Sequence, residues 1–82
     1  MTTPTRNTIY AQIEAERGRQ ILQWGGSPHD DRHRRKTWLH IIGEHADRAA
    51  KSRGDSWRHR LVVIAAVCVA AIEAHDRKQE RS

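Results

Sequence analysis

A run of twelve residues without a charge or a hydroxyl, residues 61–72 (LVVIAAVCVAAI), lies inside an otherwise polar and basic chain. The run is too short to cross a membrane as a helix, which takes roughly 20 apolar residues. A helix that is apolar on every side is normally buried on every side. The rest of an 82-residue chain can cover only part of such a helix. We therefore expect a homo-oligomer, a dimer or a tetramer, in which another copy covers the remainder.

Length and charge narrow the class of protein further. A chain of 82 residues forms one domain at most, and a domain of this size buries only about 60% of its unfolded surface. The net charge of +5, with six histidines besides, favours anionic partners such as phosphates, nucleotides, nucleic acid or acidic protein surfaces. Residues 1–7 carry no apolar core segment after Arg6, so we expect no secretory signal, no membrane partner and a cytoplasmic location.

The spacing of apolar residues predicts an all-α chain of three helices. The first is expected from about Thr8, as its cap, to the Gly25 break, and the second from about residue 36 to Gly54. The third is expected from about Trp57 through the apolar run.

The predicted helices also suggest how the chain is organised. We expect a flexible N-terminal arm at 1–7, a single helical domain at 8–77 and a charged tail at 78–82, with a polar loop between the first two helices. The last two helices form a predicted hairpin. Pairing of that hairpin with the same hairpin of another chain would give a four-helix-bundle core.

Several short motifs occur in an order and at a spacing that are more specific together than any motif alone. They are Ile13-x-x-Glu16-Arg17-x-x-Gln20, Trp24-Gly25, His29-Asp30, Trp38-Leu39-x-Ile41-Ile42-Gly43-Glu44 and the apolar stretch at 61–70. In these motifs the chain resembles the small MazG-like, all-α nucleotide pyrophosphohydrolases of phages and bacteria. The resemblance extends over most of the chain and implies a MazG-like fold.

The resemblance also implies a chemistry, from which this sequence departs. Members of that family hydrolyse nucleoside triphosphates to monophosphate and pyrophosphate with Mg²⁺, which is held by acidic residues of two neighbouring helices. Glu44 matches the first of these acids, but His45, Arg48, Arg60 and Val63 stand where others are expected. One carboxylate among cations is a poor Mg²⁺ site. We therefore expect no bound metal, no cofactor and no catalytic residues.

Arginine can bind phosphate through two parallel N–H groups without a metal, so loss of the acids is compatible with nucleotide binding. The expected function is to bind and sequester a nucleotide or a cyclic-nucleotide signal without hydrolysing it. In a phage, such a protein would act in the host cytoplasm as an anti-defence sponge. The expected ligand-binding residues are Arg17, Gln20, Trp24, Glu44, His45, Arg48, Lys51, His59 and Arg60.

The same residues also allow purely structural roles. Glu44 and Arg48 are spaced for an ordinary ion pair on a helix surface. Trp24 and Trp38 are large enough to be core anchors rather than ligand contacts. His29-Asp30 is expected to have a role within the loop.

Two other functions also remain open. One is an active Mg²⁺-dependent pyrophosphohydrolase that draws its acids from Glu44, Asp47, Glu73 or Asp76. The other is a basic interaction protein that binds nucleic acid or a host protein through the cluster at residues 32–36 (RHRRK).

Overall fold

The computed structural model describes residues 5–81, without the side chain of residue 81. Within that range all regular secondary structure is helical, with four helices where three are predicted: α1 (Arg6–Trp24), α2 (Ser27–Asp30), α3 (Arg35–Ala50) and α4 (Gly54–Arg81). The all-α class is confirmed. Most of the predicted N-terminal arm lies outside the described residues.

The ends of α1 and α4 differ from the predicted ones. Thr5 caps α1 by accepting a hydrogen bond from the Thr8 backbone N–H (3.3 Å), so Thr8, the predicted cap, lies inside the helix. Gly25 ends α1 in the left-handed region (φ 102°), where its N–H donates to the Ile21 carbonyl (2.8 Å). The predicted charged tail continues α4 as helix as far as Arg81.

The additional helix, α2, lies where the sequence predicts a polar loop. Gly26 turns the chain with a positive φ of 68°, and a proline in the first turn then suits a helix start because its missing N–H has no intrahelical partner to lose. This single turn places Asp30 against Arg17 of α1 and Asp31 against Arg77 of α4.

The longest helix, α4, is the element against which α1, α2 and α3 all pack. Its 28 residues span about 42 Å at 1.5 Å per residue, which accounts for most of the 48 Å length of the molecule. α3 and α4 form an antiparallel hairpin. Its closed end is the short connection at 51–53, and at the other end Lys78 donates to the His33 carbonyl (3.2 Å).

Small side chains make up the core between these helices. The buried apolar side chains are those of Ala49, Val63, Ala66, Val67, Ala70 and Ala74. The side of α4 that faces away from this core leaves Leu61 40% exposed and Ile72 60% exposed. One copy of the chain therefore covers only part of the apolar run. No helix within residues 5–81 is long and apolar enough to span a membrane.

Candidate ligand-binding site

A cleft of about 610 Å³ lies beside α4, and all four helices contribute to its walls. Eight of the nine predicted ligand-binding residues line it: Arg17, Gln20, Trp24, Glu44, His45, Arg48, His59 and Arg60. Lys51 does not. It is the residue that caps the C-terminus of α3, and it is exposed to solvent outside the cleft.

One wall of the cleft is a row of four aromatic rings from α1, α2, the following loop and α3. Trp24 stacks on His29 with ring centroids 5.8 Å apart. His33 meets His29 edge to face at 4.7 Å and meets Trp38 in the same way at 4.8 Å. Trp24 is 56% exposed and Trp38 is half-buried, so neither is a fully buried core anchor. The row offers aromatic surface to a ligand.

Arg17 has a structural role in the wall formed by α1. Its guanidinium donates to Asp30 Oδ2 (2.8 Å) and to Glu73 Oε1 (3.0 Å), and only 11% of the side chain is exposed. We call Arg17, Asp30 and Glu73 the ion-pair cluster. It joins α1, α2 and α4, so the predicted contact of Arg17 with a ligand competes with two internal carboxylates.

Gln20 is likewise bonded within the protein. Its side-chain amide donates to Glu16 Oε2 (3.2 Å), and both residues are buried. Arg19 donates to the other oxygen of Glu16 through Nε (2.9 Å). The Arg19 hydrogen bond lowers the pKa of Glu16 below its ordinary value, although burial opposes the shift.

Arg48 of α3 and Arg60 of α4 also line the cleft, but their bonding differs from that of Arg17 and Gln20. Neither side chain makes a hydrogen bond or an ion pair with any other residue in the range 5–81. Glu44, the potential partner of Arg48 one turn earlier, is paired instead with His40 (2.9 Å). The ordinary Glu44–Arg48 surface pair is therefore absent. We call Arg48 and Arg60 the arginine pair.

His45 lies near the arginine pair and is half-buried. Its Nδ1 is inaccessible to solvent and has no hydrogen-bond partner. Burial lowers the pKa of His45, and the positive charges of Arg48 and Arg60 lower it further. The imidazole is therefore neutral at pH 7, so the positive charge at this end of the cleft comes from the arginines.

The carboxylates of the cleft do not suit Mg²⁺. Asp30 is paired with Arg17 and bonded to His29 (3.1 Å), and Glu44 is paired with His40. Among residues 5–81 no group of three His, Cys, Asp or Glu side chains is placed to hold a metal ion. The donor set at this site therefore does not fit the metal that the family resemblance implies.

Some lining residues are absent from the sequence-based set, among them Arg19, Gln23, His29, His33 and Trp38. The aromatic residues of the row have a signal in the sequence, because they recur every four or five residues across the loop (Trp24, His29, His33 and Trp38). That signal carries little weight without the structure, because only α2 brings the four rings into one row.

No family model, curated protein or solved structure matches this chain. The resemblance to MazG-like pyrophosphohydrolases therefore stays an expectation from the sequence motifs.

Proposed function

We propose that the cleft binds a nucleotide, or a cyclic nucleotide, and holds it without hydrolysis. The observation that carries this proposal is the arginine pair, two cations that line a cleft with no carboxylate partner. Arg48 is exposed and Arg60 is half-buried, so both guanidinium groups are accessible to a bound anion. Each guanidinium can donate two N–H groups to a phosphate.

The two ends of the cleft match the two chemical parts of a nucleotide. Trp38 and Arg48 are ten residues apart on α3, which separates the aromatic wall from the arginine pair by about 15 Å along the helix. A base would stack on Trp24 or Trp38, because stacking needs only an accessible ring face. The phosphates would then extend toward Arg48 and Arg60.

The positive charge of the cleft is concentrated at the arginine pair. Arg17 and Arg19 also line the cleft, but each is paired with a carboxylate of the protein. Arg60 also lies in the second turn of α4, where a positive charge opposes the helix dipole. A phosphate bound to Arg60 would offset that unfavourable charge.

Sequestration accounts for this site better than catalysis does. Hydrolysis of a phosphoanhydride needs an activated water molecule, and the carboxylates of Asp30 and Glu44 already contact Arg17 and His40. A protein that binds its ligand stoichiometrically can lower the free concentration of a signal without any reaction. In an infected cell, such binding of a nucleotide or cyclic-nucleotide signal would serve as anti-defence.

The test is a binding panel of ATP, ADP, AMP, adenosine and cyclic dinucleotides, each with Mg²⁺ and with EDTA. Bound material is recovered by denaturing the protein and identified by chromatography. The proposal predicts retention of phosphorylated ligands, no retention of adenosine, full recovery of intact ligand and no effect of EDTA. Monophosphate and pyrophosphate formed only with Mg²⁺ would replace the proposal with the pyrophosphohydrolase alternative.

The basic stretch at 32–36 supports a second candidate function, since Arg32, Arg34, Arg35 and Lys36 are all exposed. Exposed arginines and lysines of this kind bind nucleic-acid backbones or acidic protein surfaces. This alternative predicts that short RNA or DNA is retained, that nucleotides are not, and that charge removal at 32–36 abolishes the binding.

A further inference from the structure

We infer that the outer face of α4 pairs with the same face of a second copy of this chain, with the two α4 helices antiparallel. The face is formed by Leu61, Ala65, Cys68 and Ile72, at positions i, i+4, i+7 and i+11, which share one side of a helix. It points away from the core and from the cleft. This inference is independent of the proposed ligand.

The exposure of this face is large for a protein with so small a core. Leu61 is 40% exposed and Ile72 60%, and Trp57, one turn before Leu61, is 47% exposed. The core within the described residues consists of four alanines and two valines. Of these six residues, only Ala66 is less than 2% exposed. Such a core stabilises a domain of this size only weakly, so burial of the α4 face adds a needed contribution.

Charges beside the face favour a second copy as the partner and specify its direction. Arg58 and Asp76 are 18 residues apart, which is five helical turns, so they lie on the same side of α4 at opposite ends of the face. Asp76 is exposed and has no ion-pair partner within residues 5–81, and Arg58 bonds only the neutral amide of Gln12 (2.7 Å).

Antiparallel pairing satisfies the apolar and the charged residues in one register. If the twofold axis crosses α4 at the level of position 67, Arg58 of each copy is opposite Asp76 of the other, and Leu61 is level with position 73, next to Ile72. Parallel pairing would instead bring Arg58 against Arg58 and Asp76 against Asp76, which is repulsive. Cys68, the only cysteine of the chain, falls close to the axis.

The first test measures mass in solution by light scattering after size-exclusion chromatography. The wild type should have twice the mass of one chain. Ile72→Glu should give a monomer, because it buries a charge in the interface. The matched control Leu39→Glu, at a 67% exposed position on α3, should stay dimeric. A monomeric wild type, or a dimer that survives Ile72→Glu, would overturn the inference.

The second test measures the register by charge exchange. Asp76→Arg and Arg58→Glu should each weaken the dimer, and the double variant should restore it, because only antiparallel pairing places the two new charges together. Circular dichroism checks that each variant stays helical. Air oxidation with a copper–phenanthroline catalyst should join the Cys68 thiols of two wild-type chains in a disulfide, with O₂ as the electron acceptor. Absence of the cross-link, or no recovery in the double variant, would contradict this register.

Discussion

Arg17 of the ion-pair cluster and the arginine pair line the same cleft, but they differ in their internal ion pairs. Arg17 has two carboxylate partners, one on α2 and one on α4, and is almost buried. Arg48 and Arg60 have none among the described residues. The comparison indicates that a basic residue lining a cleft is not by itself a ligand contact. What distinguishes the two groups is whether a carboxylate of the protein already neutralises the charge.

The largest expected effect is on ligand affinity and follows removal of the arginine pair. Arg48→Ala with Arg60→Ala should weaken nucleotide binding about 100-fold or more, because each charge-assisted hydrogen bond contributes about 1.5–3 kcal/mol. Stability should change little, since neither side chain has an internal partner. Calorimetric titration measures the affinity and thermal unfolding measures the stability.

A double variant with the same loss of charge is the control for that experiment. Arg6→Ala with Arg53→Ala removes two exposed arginines that do not line the cleft. Its affinity should stay close to that of the wild type. Equal losses in the two double variants would mean that the protein attracts anions only through its net charge.

The next largest effect is on stability and follows disruption of the ion-pair cluster. Arg17→Ala leaves Asp30 nearly buried without its cation and should lower the free energy of unfolding by about 3 kcal/mol. Urea denaturation gives the value. Arg77→Ala is the milder comparison, because its pair with Asp31 is more exposed. If Arg17→Ala abolished ligand binding at unchanged stability, the structural assignment of Arg17 would be wrong.

A smaller effect is expected at the aromatic wall. Trp24→Ala should weaken binding about 10-fold, since stacking of a base contributes about 1–3 kcal/mol. Trp57→Ala, an exposed tryptophan outside the cleft, should leave the affinity unchanged. Titration of both variants with the same nucleotide checks this. Identical affinities would place the base elsewhere.

The smallest effect is a dependence of stability on pH from His33 and His45. Burial lowers the pKa of both imidazoles in the folded protein, so below about pH 6.5 the unfolded chain takes up protons that the folded chain does not. The free energy of unfolding should therefore fall as the pH falls from 7.5 to 5.5. His45→Gln should make the decrease shallower in thermal unfolding experiments. A decrease of the same size in this variant would rule out a contribution from His45.

Helix content was predictable from the sequence because it rests on local spacing, whereas α2 was not. Its four residues are too few for a periodic pattern, and Gly-Gly-Ser-Pro is typical of a loop. Asp30 and Asp31 hold α2 in place through ion pairs with Arg17 and Arg77, which are distant from them in the sequence. The exposure of the outer α4 face also depends on how many sides the other helices cover.

Eight of the nine residues chosen from the sequence line the cleft, but the sequence could not separate their roles. Arg17 and Arg48 look equally suited to a phosphate in the sequence, and only the positions of Asp30, Glu73 and His40 distinguish them. Lys51 lies outside the cleft, just after the end of α3 at Ala50.

The most direct test of nucleotide binding by the arginine pair is ¹⁵N NMR. The Nε–H signals of the arginine side chains are recorded while ATP is added in the presence of EDTA. Assignments come from single arginine-to-lysine variants. If the arginine pair binds the phosphates, the signals of Arg48 and Arg60 shift with saturating behaviour, while that of Arg77, outside the cleft, stays in place. Shifts confined to Arg32, Arg34 and Arg35, or no shift at all, would contradict it.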